Sequence, residues 1–565
     1  MILVKDEESQ PYRDAGLWGD DPQTHSLDGL LRANAKTHGE AIALSDAPDR
    51  NVWTSGDARS LTWSELNQHV DVFATFLKGL SLSKDAVVAL YGPNTVDMAA
   101  ASLAINRAGL IAAPMPLFWR EVDMRDYLSE VQARAIITVD RVEDDSPALR
   151  CRDLAQSLFS MKFVAGFGDK LPDGVVTLDK ILPAVSDMME SEPTFEPIHP
   201  DKVITLHATN LQSKETEVAL PRSSNQWLSS DRALFGEIEE TKQCLSPFAL
   251  SGLVGFCSSI VHTLKHAGSA SFHHYKSENT LAGHIDLIKP DLVLLPQGLV
   301  AAQAKRLSIS HVITIGCVWK NNHLGEKPIA QIKGNCRLLD ISVLNEVAAL
   351  GQSRQIGADT PQPLPMSDDI RDLSLQLLQP KSTTLKVPGK LAGGELIATG
   401  ASAPEALFPT NSEQRALARL RNKTSQKGAY THVACRLNED DEKQCEPIGF
   451  LIDTIQRFNQ VTAAAELDDL YKSMPNIIDA AHFIDPTTNE LNLAVVTSGA
   501  TPTREEFAEA LKAMGVSPLK APQEIFAAPE IKRGVGGVVI RHELLALLEQ
   551  NKARKLMEAR QQAAI

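Results

Sequence analysis

The sequence predicts an α/β protein: a large N-terminal doubly wound domain carrying a β-rich subdomain, followed by a small C-terminal α+β domain. Two observations point there. Short apolar runs alternate with helical stretches through the first part of the chain, the pattern of a parallel sheet with crossover helices. The same kind of pattern restarts near residue 449, after a polar and irregular middle. With 565 residues, 43% of them hydrophobic and 22% charged, the chain is long enough for separate units with sizeable cores.

Residues 86–91 (AVVALY) read as a buried strand closed by the turn Gly92-Pro93-Asn94, and 95–108 as a buried helix stopped by Gly109. Residues 110–115 read as the next strand, 120–132 as a helix and 135–139 (AIITV) as a further strand. Sheets of this class bind ligands at the carboxyl ends of their strands. The class alone names no chemistry. The stretch 190–200 holds three prolines and reads as a connector; 359–372 is a second Pro-rich crossing, followed by a β-rich segment at 385–400. The charge run 438–444 (NEDDEKQ) is expected at a loop tip. From 449 onward the sequence predicts a helix at 463–472, strands at 480–484 and 491–497, and a helix at 504–514. The expected domains are therefore 1–448, with a variable lead-in at 1–25, and 449–565. The latter ends in a helix at 541–565 whose apolar face carries Leu544, Leu545 and Leu548.

Composition excludes several function classes. The 71 acidic and 56 basic residues leave a formal charge of −15, which repels a polyphosphate backbone, so no nucleic-acid partner is expected. Seven cysteines without a CxxC pair fit free thiols in a reducing compartment, and the expected localisation is cytoplasmic. Lys5, Asp6, Glu7 and Glu8 interrupt any signal-peptide apolar core within 1–14. The uncharged stretch 245–264 contains Pro247, Gly252, Gly255 and four serines, so it reads as a buried helix beside a ligand cleft rather than a membrane span. The chain has no GxxxxGK[ST], GxSxG, HExxH or EF-hand loop. Gly534-Val535-Gly536-Gly537 lacks dinucleotide-binding spacing and reads as a turn. His273-His274 has no ligand partner at useful spacing and reads as a surface or cleft-wall pair.

Four segments in order carry a resemblance: LTWSELNQHVDVFATFL (61–77), VVALYGPNTVDM (87–98), INRAGLIAAPMPL (105–117) and DYLSEVQARAIIT (126–138). YRDAGLW (12–18), SPFALSGL (246–253), VLLPQGLV (293–300), AGGELIATG (392–400), LKAP (519–522) and IRHELL (540–545) extend it. The chain resembles the adenylate-forming superfamily of acyl-CoA synthetases, aryl-acid AMP ligases and adenylation domains. The resemblance implies a large AMP-binding-like N-terminal domain and a small mobile C-terminal domain.

The family's motifs are degraded here. Its Ser/Thr/Gly-rich phosphate loop, in which glycines let backbone N–H groups close on phosphate, corresponds to 208–217 (ATNLQSKETE). That stretch has no glycine and carries Glu215 and Glu217. A glutamate roughly 4–5 Å from a phosphate costs about 1–4 kcal/mol in repulsion. In ISVLNE (341–346), Glu346 matches the family's metal-binding carboxylate, whereas Ser342 replaces the aromatic that stacks on adenine. The ribose-binding aspartate falls at Ala434, the hinge arginine at Phe450, the polar hinge residue at Ile452, and the catalytic lysine at Val538. Gly316 and Cys317 match a turn lining the adenine and acyl pocket. Ala249, Leu250 and Gly252 match the substrate-side segment, with Ala249 in place of a pocket histidine.

The resemblance with these losses implies an acyl-CoA synthetase-like pseudoenzyme. Its expected partner is a small carboxylate, an acyl thioester, or an acyl carrier or biosynthetic protein, and no cofactor is assigned. The alternative is a divergent active acyl or aryl-acid ligase, or an ATP-independent acyl-transfer enzyme. ATP with magnesium, and CoA, enter only on that reading.

Overall fold

The computed structural model describes residues 26–549 except 210, 213–218, 239–240, 301–311, 313, 321–335, 356–357, 359, 367–371, 379–392, 405–427, 439–440, 451–453, 458–459, 486–487, 489, 534–538 and 542. The chain divides into two compact units.

The first unit holds the predicted α/β layers as two large sheets. One runs in the order Ala219–Ser223, Val203–Ala208, Ile111–Pro114, Val87–Tyr91, Ala135–Val139, Phe163–Phe167, Val176–Thr177, parallel throughout except at the first pair. Strands such as Val87–Tyr91 and Ala135–Val139 are buried at every position, which is why they read as unbroken apolar runs. The helix Val96–Arg107 is buried at all twelve positions, and Thr95 caps it by accepting from the Met98 N–H. The helix Trp63–Gly79 packs beside it, opened by a reciprocal Thr62–Glu65 capping box.

The second sheet is ordered Ala348–Ser353, Arg337–Leu344, Thr314–Lys320, Leu292–Pro296, Gln243–Ser246, Ser269–Phe272, Ile42–Ser45, Ser60–Thr62, with a parallel centre and antiparallel edges. A five-stranded antiparallel sheet, from Leu364–Pro365 through Gln444–Phe450, Ala429–Leu437 and Gly393–Thr399 to Ser374–Leu378, forms the β-rich part. Its core gathers Leu364, Leu396, Val433, Cys435 and Cys445 with Leu344 and Val347.

The second unit is built on the antiparallel pair Ile477–Ile484 and Leu491–Thr497 with Ile525–Ala527 alongside, covered by the helices Ala464–Lys472 and Arg504–Ala513. Of the predicted closing helix, 543–549 is described as helical, and its Leu544 and Leu548 pack on Phe483, Phe526 and Ile531.

Two points differ from a simple cut at 449. The strand Gln444–Phe450 continues past it, because Ala434 pairs with Gly449 and Val433 with Phe450 in the five-stranded ladder. The second unit also recruits residues from early in the chain. Lys520 Nζ reaches the Asp123 carboxylate at 3.0 Å, Ser517 Oγ donates to the Phe118 carbonyl at 3.1 Å, and Leu211–Gln212 pairs in parallel with Gln460–Ala463. The stretch 245–264 is not one helix. It finishes the strand Gln243–Ser246, turns, and only then enters a helix with a widened π turn at Cys257–Val261. Among the described residues no helix is long and apolar enough to cross a membrane.

Candidate functional site

The strand Arg337–Leu344 ends in the turn Leu344-Asn345-Glu346-Val347, closed by the Val347 N–H donating to the Leu344 carbonyl at 2.9 Å. Asn345 and Glu346 have φ of +51° and +60°, the left-handed pair that suits the twist of a tight hairpin. Asparagine accepts that region readily. Glutamate sits there at a cost of about 1–2 kcal/mol, so other contacts must hold it.

Those contacts come from three elements. Arg222, fully buried on the strand Ala219–Ser223, donates to the carbonyls of Glu346 (2.9 Å), Val347 (2.7 Å) and Ser402 (2.6 Å). Glu346 Oε2 accepts the Leu253 N–H at 2.6 Å, and Oε1 faces Lys320 Nζ at 3.1 Å. Leu253 begins a helix, so the carboxylate satisfies a donor that a helix start leaves open and lies at the positive end of the peptide dipoles. Lys320 ends the strand Thr314–Lys320, in register with Val343. Side-chain exposure is only 15% for Lys320 and 4% for Glu346, so the ion pair is poorly screened.

His207, on the strand Val203–Ala208, anchors the neighbouring segment. Its Nε2 lies 3.0 Å from the Leu250 carbonyl, and its ring meets Trp227 and Phe256 edge-on. Burial, reinforced by the Arg222 charge, pushes its pKa down to about 3, so the imidazole is neutral at working pH.

The structure brings Glu346, Leu253 and Gly252 together; a Cβ on Gly252 would lie 3.6 Å from Glu346 Oε2. Ser342 is buried mid-strand. Leu250 is buried and Ala249 exposed, and the Ala249 carbonyl accepts the Gly252 N–H. Gly316 and Cys317 do not form a turn. They lie inside the strand Thr314–Lys320, where a Cβ at 316 would run into Leu294 and the Cys317 thiol packs in a core with Leu245 and Val293. His273 is buried beside His284, with their Nδ1 atoms 3.1 Å apart, while His274 stacks on Trp53. Val538, Glu215, Glu217 and 534–537 lie outside the described residues, as does Ile452.

These residues do not fit magnesium-bound ATP. Both oxygens of the carboxylate that would hold the cation are engaged, one by an ammonium. Ala434 sits in the strand Ala429–Leu437 opposite Glu395 and Gly449 and offers a ribose no acceptor side chain. Sequence reasoning missed Lys320, Arg222 and His207. Arg222 had a signal, a lone cation inside the run ALPRS that is buried at every position. Lys320 had none, because its partner lies 26 residues away and only the pairing of two parallel strands brings them together.

Residues 31–207 match the family described as AMP-binding enzyme. The chain is 33% identical over 85 residues to acetyl-coenzyme A synthetase of Rubrobacter xylanophilus, covering 15% of this chain and 13% of that one. It is 22% identical over 269 residues to the medium-chain fatty-acid–CoA ligase of Escherichia coli, covering 46% and 43%. The matches thus span less than half of these enzymes' lengths. Among solved structures, the amide bond synthetase of Marinactinospora thermotolerans superposes with a TM-score of 0.70 at 15% identity, covering 91% of this chain and 98% of that one. That likeness is one of fold.

Proposed function

From its place in the AMP-binding family of the adenylate-forming superfamily, we propose that this chain is a ligase-like protein that holds a small carboxylate, an acyl thioester or an acyl carrier without activating it by ATP. The observation that carries this reading is the Lys320–Glu346 pair. Adenylation depends on fixed positive charge at the triphosphate, and the carboxylate that would anchor a magnesium ion is already neutralised by an ammonium 3.1 Å away. A neutral, largely buried pair gives a divalent cation little reason to exchange its water shell for protein. Ser342 and Ala434 support the same reading from the adenine and ribose sides.

A thermal-shift screen tests it. A ligand specific for the folded state stabilises by about 2.7 kcal/mol at a hundredfold excess over its Kd. Members of a carboxylate and acyl-thioester panel are expected to raise the unfolding temperature, and millimolar Mg·ATP to leave it unchanged. Stabilisation by Mg·ATP would favour a divergent active ligase instead.

A further inference from the structure

We propose that Asp231, His262 and His266 form a binding site for a divalent transition-metal ion of the zinc class. The residues come from two elements. Asp231 lies on the helix Ser224–Phe235, and the two histidines stand four apart on the helical turn His262–His266, which puts both rings on one face. A widened π turn, Cys257–Val261, immediately precedes His262; such turns often occur at functional sites. The three side chains offer one ligand atom each, all within 4.8 Å of one another.

Geometry and donor chemistry agree. His262 Nδ1 lies 2.7 Å and His266 Nε2 3.7 Å from the Asp231 carboxylate oxygens. A tetrahedral zinc ion, with bonds of about 2.0–2.1 Å, holds its ligand atoms about 3.3 Å apart, between those two values. Asp231 and His262 are 1% and 3% exposed, so the ligands are pre-ordered and shielded from competing water. The far side of His262 is already arranged as in metal sites. Its Nε2 lies 2.5 Å from Thr241 Oγ1, which fixes the ring and leaves Nδ1 aimed at the carboxylate.

Lys265 is the competitor. Its ammonium sits 2.5 Å from Asp231 Oδ2, but its side chain is 28% exposed and can carry the charge out to water when an ion enters. Three protein ligands leave a fourth position open. None of these residues touches the site around Glu346, so this inference stands apart from the proposed function.

The test uses full-length, untagged protein stripped with EDTA and desalted, titrated with Co²⁺ for visible d–d bands and with Zn²⁺ against a chromophoric chelator. One equivalent is expected, with four-coordinate cobalt bands. The half-buried His266→Ala should weaken Zn²⁺ at least tenfold and abolish the cobalt bands while melting near wild type. Lys265→Met should tighten Zn²⁺ several-fold, and Thr241→Val should weaken it about 10–100-fold. Absence of one-to-one binding in wild type, or unchanged Zn²⁺ affinity in His266→Ala, would overturn the proposal and reduce the cluster to an ion-pair network.

Discussion

Replacing Arg222 with methionine is expected to lower the unfolding free energy by about 3–5 kcal/mol, because three buried carbonyls lose a charged donor at once. Methionine keeps the length of the stem, so the loss reports the guanidinium. Its three acceptors, the carbonyls of Ser402, Glu346 and Val347, would lose a donor inside a region where Arg222 is 0% exposed. A buried polar group left without its partner costs about 1–3 kcal/mol, and neighbouring losses overlap rather than add. The left-handed turn at Asn345 and Glu346 depends on these contacts, so the damage should spread to the Lys320–Glu346 pair. Urea unfolding reads the effect as a lower midpoint at unchanged slope. A loss under about 1 kcal/mol would mean that the turn is held by something else.

Lys320→Met should produce the second large effect. Removing the ammonium leaves the Glu346 carboxylate, 4% exposed, facing an apolar side chain. The expected cost is about 3–5 kcal/mol. Two further measurements separate the ion pair from packing. The double variant Lys320→Met/Glu346→Gln should recover at least half of the loss, since a neutral amide tolerates the site. Millimolar Mg²⁺ or Mn²⁺ should raise the unfolding temperature of the single variant and not that of wild type, because the freed carboxylate then needs a counter-ion. Equal responses to metal in both proteins would show that the ammonium does not stand in for a cation.

The parts of the fold that were legible in the sequence are those fixed by local pattern. Strands buried on both faces, such as Val87–Tyr91, Ile111–Pro114 and Ala135–Val139, read as apolar runs whatever they pair with. The helices Val96–Arg107 and Arg504–Ala513 were legible from their residues alone, and the structure adds their Thr95 and Thr503 caps. Features set by long-range partners were not. Gly316, matched to a turn by the family resemblance, is instead a strand position whose missing Cβ makes room for Leu294. The strand Gln444–Phe450 outruns 449 because its ladder partner continues, and nothing within the segment itself signals that. At the site, Glu346 could be found from the motif around it. The residue that changes its chemistry, Lys320, contributes one cation at a strand end, and only the parallel pairing of Thr314–Lys320 with Arg337–Leu344 brings the two together. The His262-x3-His266 spacing was present as a signal, but Asp231, which completes it, comes from a different helix.

The central claim is that this chain does not adenylate a carboxylate, and ATP–pyrophosphate exchange measures that step most directly. Purified protein, assayed with Mg²⁺, ATP, labelled pyrophosphate and a broad panel of aliphatic and aromatic acids, is expected to give exchange at the background of a no-enzyme control. Val538→Lys alone is expected to stay there too, because one electrostatic contact, typically about 3–4 kcal/mol, acts only on a nucleotide that is already anchored. Acid-dependent exchange above background in the wild-type protein would contradict the claim and return the chain to the active ligases.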